Sequence, residues 1–261
     1  MLLYDHPLSP YAQKVRIMLR EKGLPFTSEV PEALGSGLIT DFAAHNPRME
    51  VPALVTEGHT LCGSSIILDF LEDRYPDEAP MPHDAFTRAH GRETEEICDT
   101  LYEANNWGLL EIRIFGRGGE LAADLDASAG REIAILNGWL ERRLSKSGWL
   151  SGENFGRADL AAIPYVATAT LLGFAPEQKS HLADWVKRTS ARAAVAETLA
   201  EAETAFKAMG QYADALQTGA MRRQYRDHRL EWTVRVGGLP VLLDGLANNN
   251  IRFTDLSLFA E

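Results

Sequence analysis

VPALVTEGHTLCGSSIILDFLEDR, Val51 to Arg74, holds two short apolar runs, Val51 to Val55 and Thr60 to Cys62, on either side of Thr-Glu-Gly-His. Runs of strand length around a glycine-bearing turn predict a β-hairpin. Ser64 then begins a helical pattern with Ile67, Phe70 and Leu71 on one face, and Tyr75-Pro76 ends it. Upstream, Met1 to Tyr4 reads as a short buried strand. Pro10 to Lys22 reads as a helix with Ala12, Val15, Met18 and Leu19 at helical spacing and Gly23 at its C-cap. Pro25 to Val30 predicts a second strand, and Leu38 to His45 a short helix halted by Asn46-Pro47. The order is βαβαββα.

Pro76 to Pro82, PDEAPMP, is acidic and proline-rich and carries no apolar period. It predicts a linker over 77–83 between a first domain, 1–76, and a second, 84–210. In the second, helical period recurs at Asp84 to Phe115, Ala127 to Leu144, Gly156 to Leu172, Glu177 to Thr189 and Ala191 to Met209. The fold class expected is α/β followed by all-α. From 211 the chain turns arginine-rich, MRRQYRDHRLEW, and then GGLPVLLDGL, so 211–261 reads as a mainly helical C-terminal extension.

With 26 Lys and Arg against 37 Asp and Glu, the formal charge is −11, which opposes a phosphate-backbone partner and argues against nucleic acid. No apolar run reaches the length of about 18 residues that a membrane span needs. Cys62 and Cys98 are too few for a disulfide framework or a four-ligand zinc site, and the seven histidines lack metal-ligand spacing, so no metal is expected. The opening MLLYDHPLSP turns polar too soon for a secretory leader, and a cytoplasmic protein is expected.

Four stretches, in order, resemble the cytosolic glutathione S-transferases of the serine type, bacterial-like members included. They are YDHPLSPYAQKVR after the first strand, NPRMEVPAL before the hairpin, LCGSSIILDFLEDRYP at the helix that follows it, and SGENFGRADL in the helical part. The resemblance covers roughly 1–210 and leaves the extension outside. It implies a thioredoxin-like N-terminal domain followed by a helical C-terminal domain, glutathione as co-substrate, a homodimer, and a detoxification-type conjugation.

Ser9 before Pro10 is first of all an ordinary helix cap. In the family the equivalent hydroxyl donates to the sulfur of glutathione, and the positive end of the helix favours thiolate over thiol. A hydroxyl at 9, and not a thiol, leaves the mixed-disulfide chemistry of the cysteine classes without a nucleophile. The resemblance further assigns glutathione contacts to Glu50, Val51, Pro52, Gly63 and Ser64. It implies a cis bond at Val51-Pro52 that exposes the Val51 amide for strand-like pairing, though a proline opening an edge strand reads equally well from sequence. Ser64 likewise reads either as a plain cap or as the seat of the γ-glutamyl carboxylate.

Two positions depart from the family pattern: Gly63 replaces an acid that meets the ligand's ammonium, and Glu50 replaces a Lys or Gln near its glycyl carboxylate. Arg48, or one of Arg222, Arg223, Arg226 and Arg229 in the extension, is the candidate compensating cation, while a solvated helix face is the better reading of the extension's arginines. Tyr11, Tyr102, Trp107 and Arg113 are the expected walls of the electrophile pocket. Tyr4 is expected in the core, and Asn105-Asn106 hint at a cavity or a partner. Gly156 lacks the hydroxyl of the family's capping box with Asp159, so a weaker helix start is expected there. Two functions fit: a transferase activating glutathione for attack on a small hydrophobic electrophile, or a non-catalytic binding or regulatory protein that keeps the fold.

Overall fold

The computed structural model describes residues 1–77, 84–144, 148–222, 224 and 227–260. Most of the predicted linker, 78–83, lies outside them, as do Arg223 and Arg226. Four strands, β1 (Leu2–Tyr4), β2 (Thr27–Glu29), β3 (Ala53–Thr56) and β4 (His59–Cys62), form one sheet in the order β2-β1-β3-β4. β1 and β2 are parallel, joined through helix α1 (Pro10–Glu21), while β1–β3 and β3–β4 are antiparallel. Glu57 and Gly58, both at positive φ, close the hairpin, the backbone that a two-residue turn between right-twisted strands demands. Helix α2 (Ser64–Arg74) follows it.

The helical part comprises α3 (Ala85–Ile97), α4 (Glu103–Arg113), α5 (Ala122–Leu144), α6 (Arg157–Leu171), α7 (His181–Ser190) and α8 (Ala193–Ala208). The helix expected over Asp84–Phe115 is α3 and α4 joined by a π-helical turn, Cys98–Tyr102. At α6 the missing cap hydroxyl is replaced from the preceding loop: Ser151 Oγ accepts from the Ala158 amide at 3.1 Å. The Asp159 carboxylate accepts from the amides of Leu150, Ser151 and Gly156 and from Trp185 Nε1, which ties the preceding loop to this helix start.

Other expectations change with packing. The helix expected over Leu38–His45 is only a 3₁₀ turn, Asp41–Ala44, because Phe42 alone is buried while Leu38 and Ile39 stand exposed. α7 begins at His181, four residues later than expected: Lys179 takes positive φ, and Ser180 Oγ caps the Ala183 amide. The extension is less helical than expected. It holds α9 (His228–Arg235), α10 (Leu239–Ala247) and a short 3₁₀ turn at Leu256–Phe259, with turns over most of the described remainder.

Helix α1 is buried without interruption from Ala12 to Leu19, Gln13, Lys14 and Arg16 included. Val15, Met18 and Leu19 join the apolar core, while the polar face meets the helical part. Lys14 Nζ lies 2.8 Å from Glu95 and 2.7 Å from Asp99. Glu95 also accepts from Ser65 Oγ of α2 and Arg157 Nε of α6. Arg16 pairs with Asp5 and Glu201, Arg20 with Glu201, and Arg192 with Glu21. Burial alone would raise the Glu95 carboxyl, but the charges of Lys14 and Arg157 outweigh it and hold it below its ordinary value.

Replacing one member of a buried pair leaves a charge uncompensated, so Glu95→Gln is expected to lower stability by about 3–5 kcal/mol in urea titration. A carboxyl whose pKa is depressed by folding contributes stability that is complete above its unfolded value and lost as pH falls through the folded one. The gap between the two proteins should therefore narrow below the ordinary carboxyl value of 4.5, and a gap independent of pH would contradict this assignment.

Candidate active site at the front of the first helix

Tyr4, Ala53 and Cys62 lie side by side across β1, β3 and β4. Val51-Pro52 leads into this row at Ala53, Gly63-Ser64 leaves it after Cys62, and the turn carrying Ser9 leaves it after Tyr4. One end of the sheet therefore gathers the front of α1, the front of α2 and the Val51-Pro52 bond, which is cis.

The turn before α1 is held by its own bonds. The Ser9 amide donates to the His6 carbonyl at 2.9 Å, the Leu8 amide to His6 Nδ1 at 3.2 Å, and Gln13 Nε2 to the Pro7 carbonyl at 2.7 Å. Burial lowers the pKa of His6, so the ring is neutral at pH 7. Ser9 is the N-cap of α1, its Oγ accepting from the Ala12 amide at 3.3 Å, and no acid sits in the first turn. The hydroxyl proton of Ser9 finds no acceptor among the described residues, so it can be donated to a ligand at the positive end of the helix dipole.

Gly63 is the N-cap of α2 at φ +95°, a backbone that glycine takes freely and an acid only under strain. Having no side chain, it leaves the first amides of α2 without a side-chain cap, and Ser64 lies buried behind it. The Val51 amide and carbonyl find no partner among the described residues. Glu50 is not an isolated negative charge: Arg48 Nη2 lies 2.9 Å from its carboxylate, and Gln224 Nε2 of the extension donates to it at 3.1 Å. Buried Asn46 shapes this loop by bonding the Glu50 carbonyl and the Arg48 amide.

Of the four residues expected to wall an electrophile pocket, Tyr11 and Tyr102 both meet the Tyr165 ring, while Trp107 and Arg113 lie further along, on α4. Tyr11 donates its hydroxyl to the Asp99 carbonyl at 2.7 Å and sets its ring edge-on to Tyr165, in the joint between sheet and helices. Tyr102 is 1% exposed, with its hydroxyl on Asn137 at 2.7 Å, and it is a core residue and not a wall. Trp107 is half-buried and donates to Glu111 one turn on. Arg113 is held by Asp126 and the Leu172 carbonyl and lies on the Phe174 ring, a strap across the ends of α4, α5 and α6. Asn106 donates to the Tyr165 carbonyl and Asn105 to the Leu101 carbonyl, uses internal to the helical part. Tyr4 lies against Phe42 and His45. Lys14, Glu95, Asp99 and Gln224 were not singled out from sequence; a lysine within a run of core positions on α1 was the available signal.

The family profile described as "Glutathione S-transferase, N-terminal domain" matches residues 3–79, and "Glutathione S-transferase, C-terminal domain" matches 115–193. "Maleylacetoacetate isomerase" of Pseudomonas aeruginosa is 31% identical over 188 residues, 67% of this chain and 84% of its own. "FtsZ-localized protein A" of Caulobacter vibrioides is 28% identical over 67% of this chain and 79% of its own. The solved structure of Rice GST1 in complex with glutathione is similar at a TM-score of 0.68 and 27% identity, covering 82% of this chain and 96% of that one.

As a cap, Ser9 should follow the usual ranking. Ser9→Ala is expected to cost about 1 kcal/mol in urea unfolding and Ser9→Gly only a few tenths. Equal losses for the two would assign the serine a role other than capping.

Proposed function

The chain belongs to the glutathione S-transferase family, and from that premise we propose that it activates the thiol of glutathione at Ser9 for attack on a small hydrophobic electrophile. One observation carries the reading: an unspent serine hydroxyl, two helix N-termini and an unpaired Val51 amide converge at one end of the sheet. The unpaired amide and carbonyl of Val51 suit a strand-like pairing with the cysteinyl unit, and the uncapped first-turn amides of α2, from Ser64 onward, suit the γ-glutamyl carboxylate. The sulfur then lies at the front of α1, where the Ser9 hydroxyl and the helix dipole stabilise its anion.

A free thiol of pKa about 8.5 is only a few per cent ionised at pH 7, so a fall of one to two units multiplies the nucleophile severalfold or more. The thiol proton passes to solvent, the thiolate forms the carbon–sulfur bond, and any leaving group departs with the electron pair of its own bond. Arg48 is suitably placed for the glycyl carboxylate, since it already offsets Glu50. Cytoplasmic residence accords with two free cysteines, and a homodimer with the exposed apolar side chains of Ile66 on α2 and Phe86 on α3.

A second reading has its own support. Gly63 removes an attraction for the ligand's ammonium, the extension already bonds Glu50, and one relative bears the name of an FtsZ-localized protein. In that reading the chain keeps the fold as a binding or regulatory protein.

Glutathione at a hundred times its dissociation constant should stabilise the protein by about 2.7 kcal/mol, visible as a rise in Tm, and no rise at millimolar glutathione favours the second reading. For the enzyme, Ser9→Gly should move the alkaline rise of kcat/KM on chlorodinitrobenzene to higher pH by about one unit, because the thiol loses a donor to its anion. An unmoved profile rejects Ser9. Glu50→Gln, which frees Arg48, should tighten glutathione severalfold, and Arg48→Ala should weaken it.

A further inference from the structure

The turn that carries Ser9 is bonded to itself before any ligand arrives. The Ser9 amide donates to the His6 carbonyl at 2.9 Å and the Leu8 amide to His6 Nδ1 at 3.2 Å, while Pro7 has no N–H to offer. A side chain that accepts from the amide two residues on closes a local ring of the kind Asp and Asn make, and here an imidazole makes it. The Leu8 side chain packs on the apolar core, which pins the turn from its other side.

Gln13 holds the same turn from within α1. It is 2% exposed, its Nε2 donates to the Pro7 carbonyl at 2.7 Å, and its Oε1 is buried with no partner among the described residues. A buried oxygen without a partner lowers stability, and an apolar side chain of the same length would avoid that loss. What the amide supplies in return is its bond to Pro7.

The bond from Leu8 also fixes the state of the His6 ring. Because Nδ1 accepts, the ring is neutral and its proton sits on Nε2. Burial favours the neutral form, and Asp5, whose charge would draw a second proton onto the ring, is engaged by Arg16 and Ser28, with Arg16 in turn paired to Glu201. We propose that His6 is a positioning residue for the thiol: its Nδ1 locks the turn that sets how closely the Ser9 hydroxyl approaches the sulfur, and thereby how acidic the bound thiol becomes. The inference rests on Ser9 as the donor to sulfur, and the imidazole acts through Leu8 and Ser9, not on the sulfur. A donor favours an anion only at hydrogen-bond distance and angle, so slack in the turn reaches the thiol as a higher pKa.

Ultraviolet thiolate absorbance of the full chain with glutathione, followed against pH, reads the pKa of the bound thiol. In His6→Gln the acceptor stands one methylene farther out and misses the Leu8 amide. That pKa should rise by about half a unit or more, and kcat/KM on chlorodinitrobenzene should fall about threefold on the acid side of it. In His6→Asn the side-chain oxygen takes the place of Nδ1, and both values should return close to those of the unaltered chain. Gln13→Met, which keeps the volume and removes the bond to Pro7, should raise the pKa in the same direction, with Tm and far-ultraviolet dichroism recording the fold. A pKa unmoved in His6→Gln while Ser9→Gly raises it, or one raised as far by Asn as by Gln, overturns the proposal and leaves the reading of Ser9 standing; a lowered Tm with an unmoved pKa marks a histidine that serves the fold alone. If glutathione brings no thiolate absorbance, or Ser9→Gly leaves it untouched, both fall.

Discussion

Lys14 has no exposure to solvent, and Glu95 and Asp99 stand within hydrogen-bond reach of its Nζ. A buried ammonium without partners would cost several kcal/mol, so the pair fixes the approach of α1 to the helical part. Glu95 extends the constraint by accepting at once from α1, α2 and α6. Two helix fronts that face one end of the sheet are thereby held through a single carboxylate on α3. Burial pushes the Asp99 carboxyl up against the pull of Lys14, and the same residue receives the Tyr165 hydroxyl. The position of Ser9 is set from the far side of its own helix.

The fold was legible wherever a residue's fate depends on neighbours in sequence. The strands, α1, the hairpin and α2 follow from apolar spacing, a glycine turn and serine or proline starts, all local signals. The failures are long-range. Tyr102, in the π turn, and Arg113, on α4, have side chains suited to a cleft, but one meets Asn137 and the other Asp126, partners that no local spacing announces. The hydroxyl absent from Gly156 is supplied by Ser151, and the run at Leu38 and Ile39 finds no core to fold against.

The candidate site divides in the same way. Ser9, Val51-Pro52 and Ser64 are legible because each sits at the boundary of an element, where backbone groups are left unpaired. The cation expected to offset Glu50 is Arg48, legible two residues away, whereas Gln224, in the extension, joins its carboxylate with no local signal. Gly63 carries its reason in the backbone: at φ +95° the exchange of an acid for glycine relieves strain even as it removes a charge. The extension lies outside both family segments, 3–79 and 115–193, so its docking on Gly35 and Gly37 had no precedent in the resemblance.

The π turn at Cys98–Tyr102 separates two helical registers. Each residue of an α-helix advances the chain by about 100°, and a π turn accommodates roughly one residue more than regular winding would. The bulge takes up that extra residue locally, so deleting one residue there would restore an unbroken helix with Leu109 and Leu110 still facing the core. Composition is thus held more tightly than length in this segment, and natural variants should accept the loss of one exposed residue more readily than a charged side chain at buried Cys98 or Tyr102.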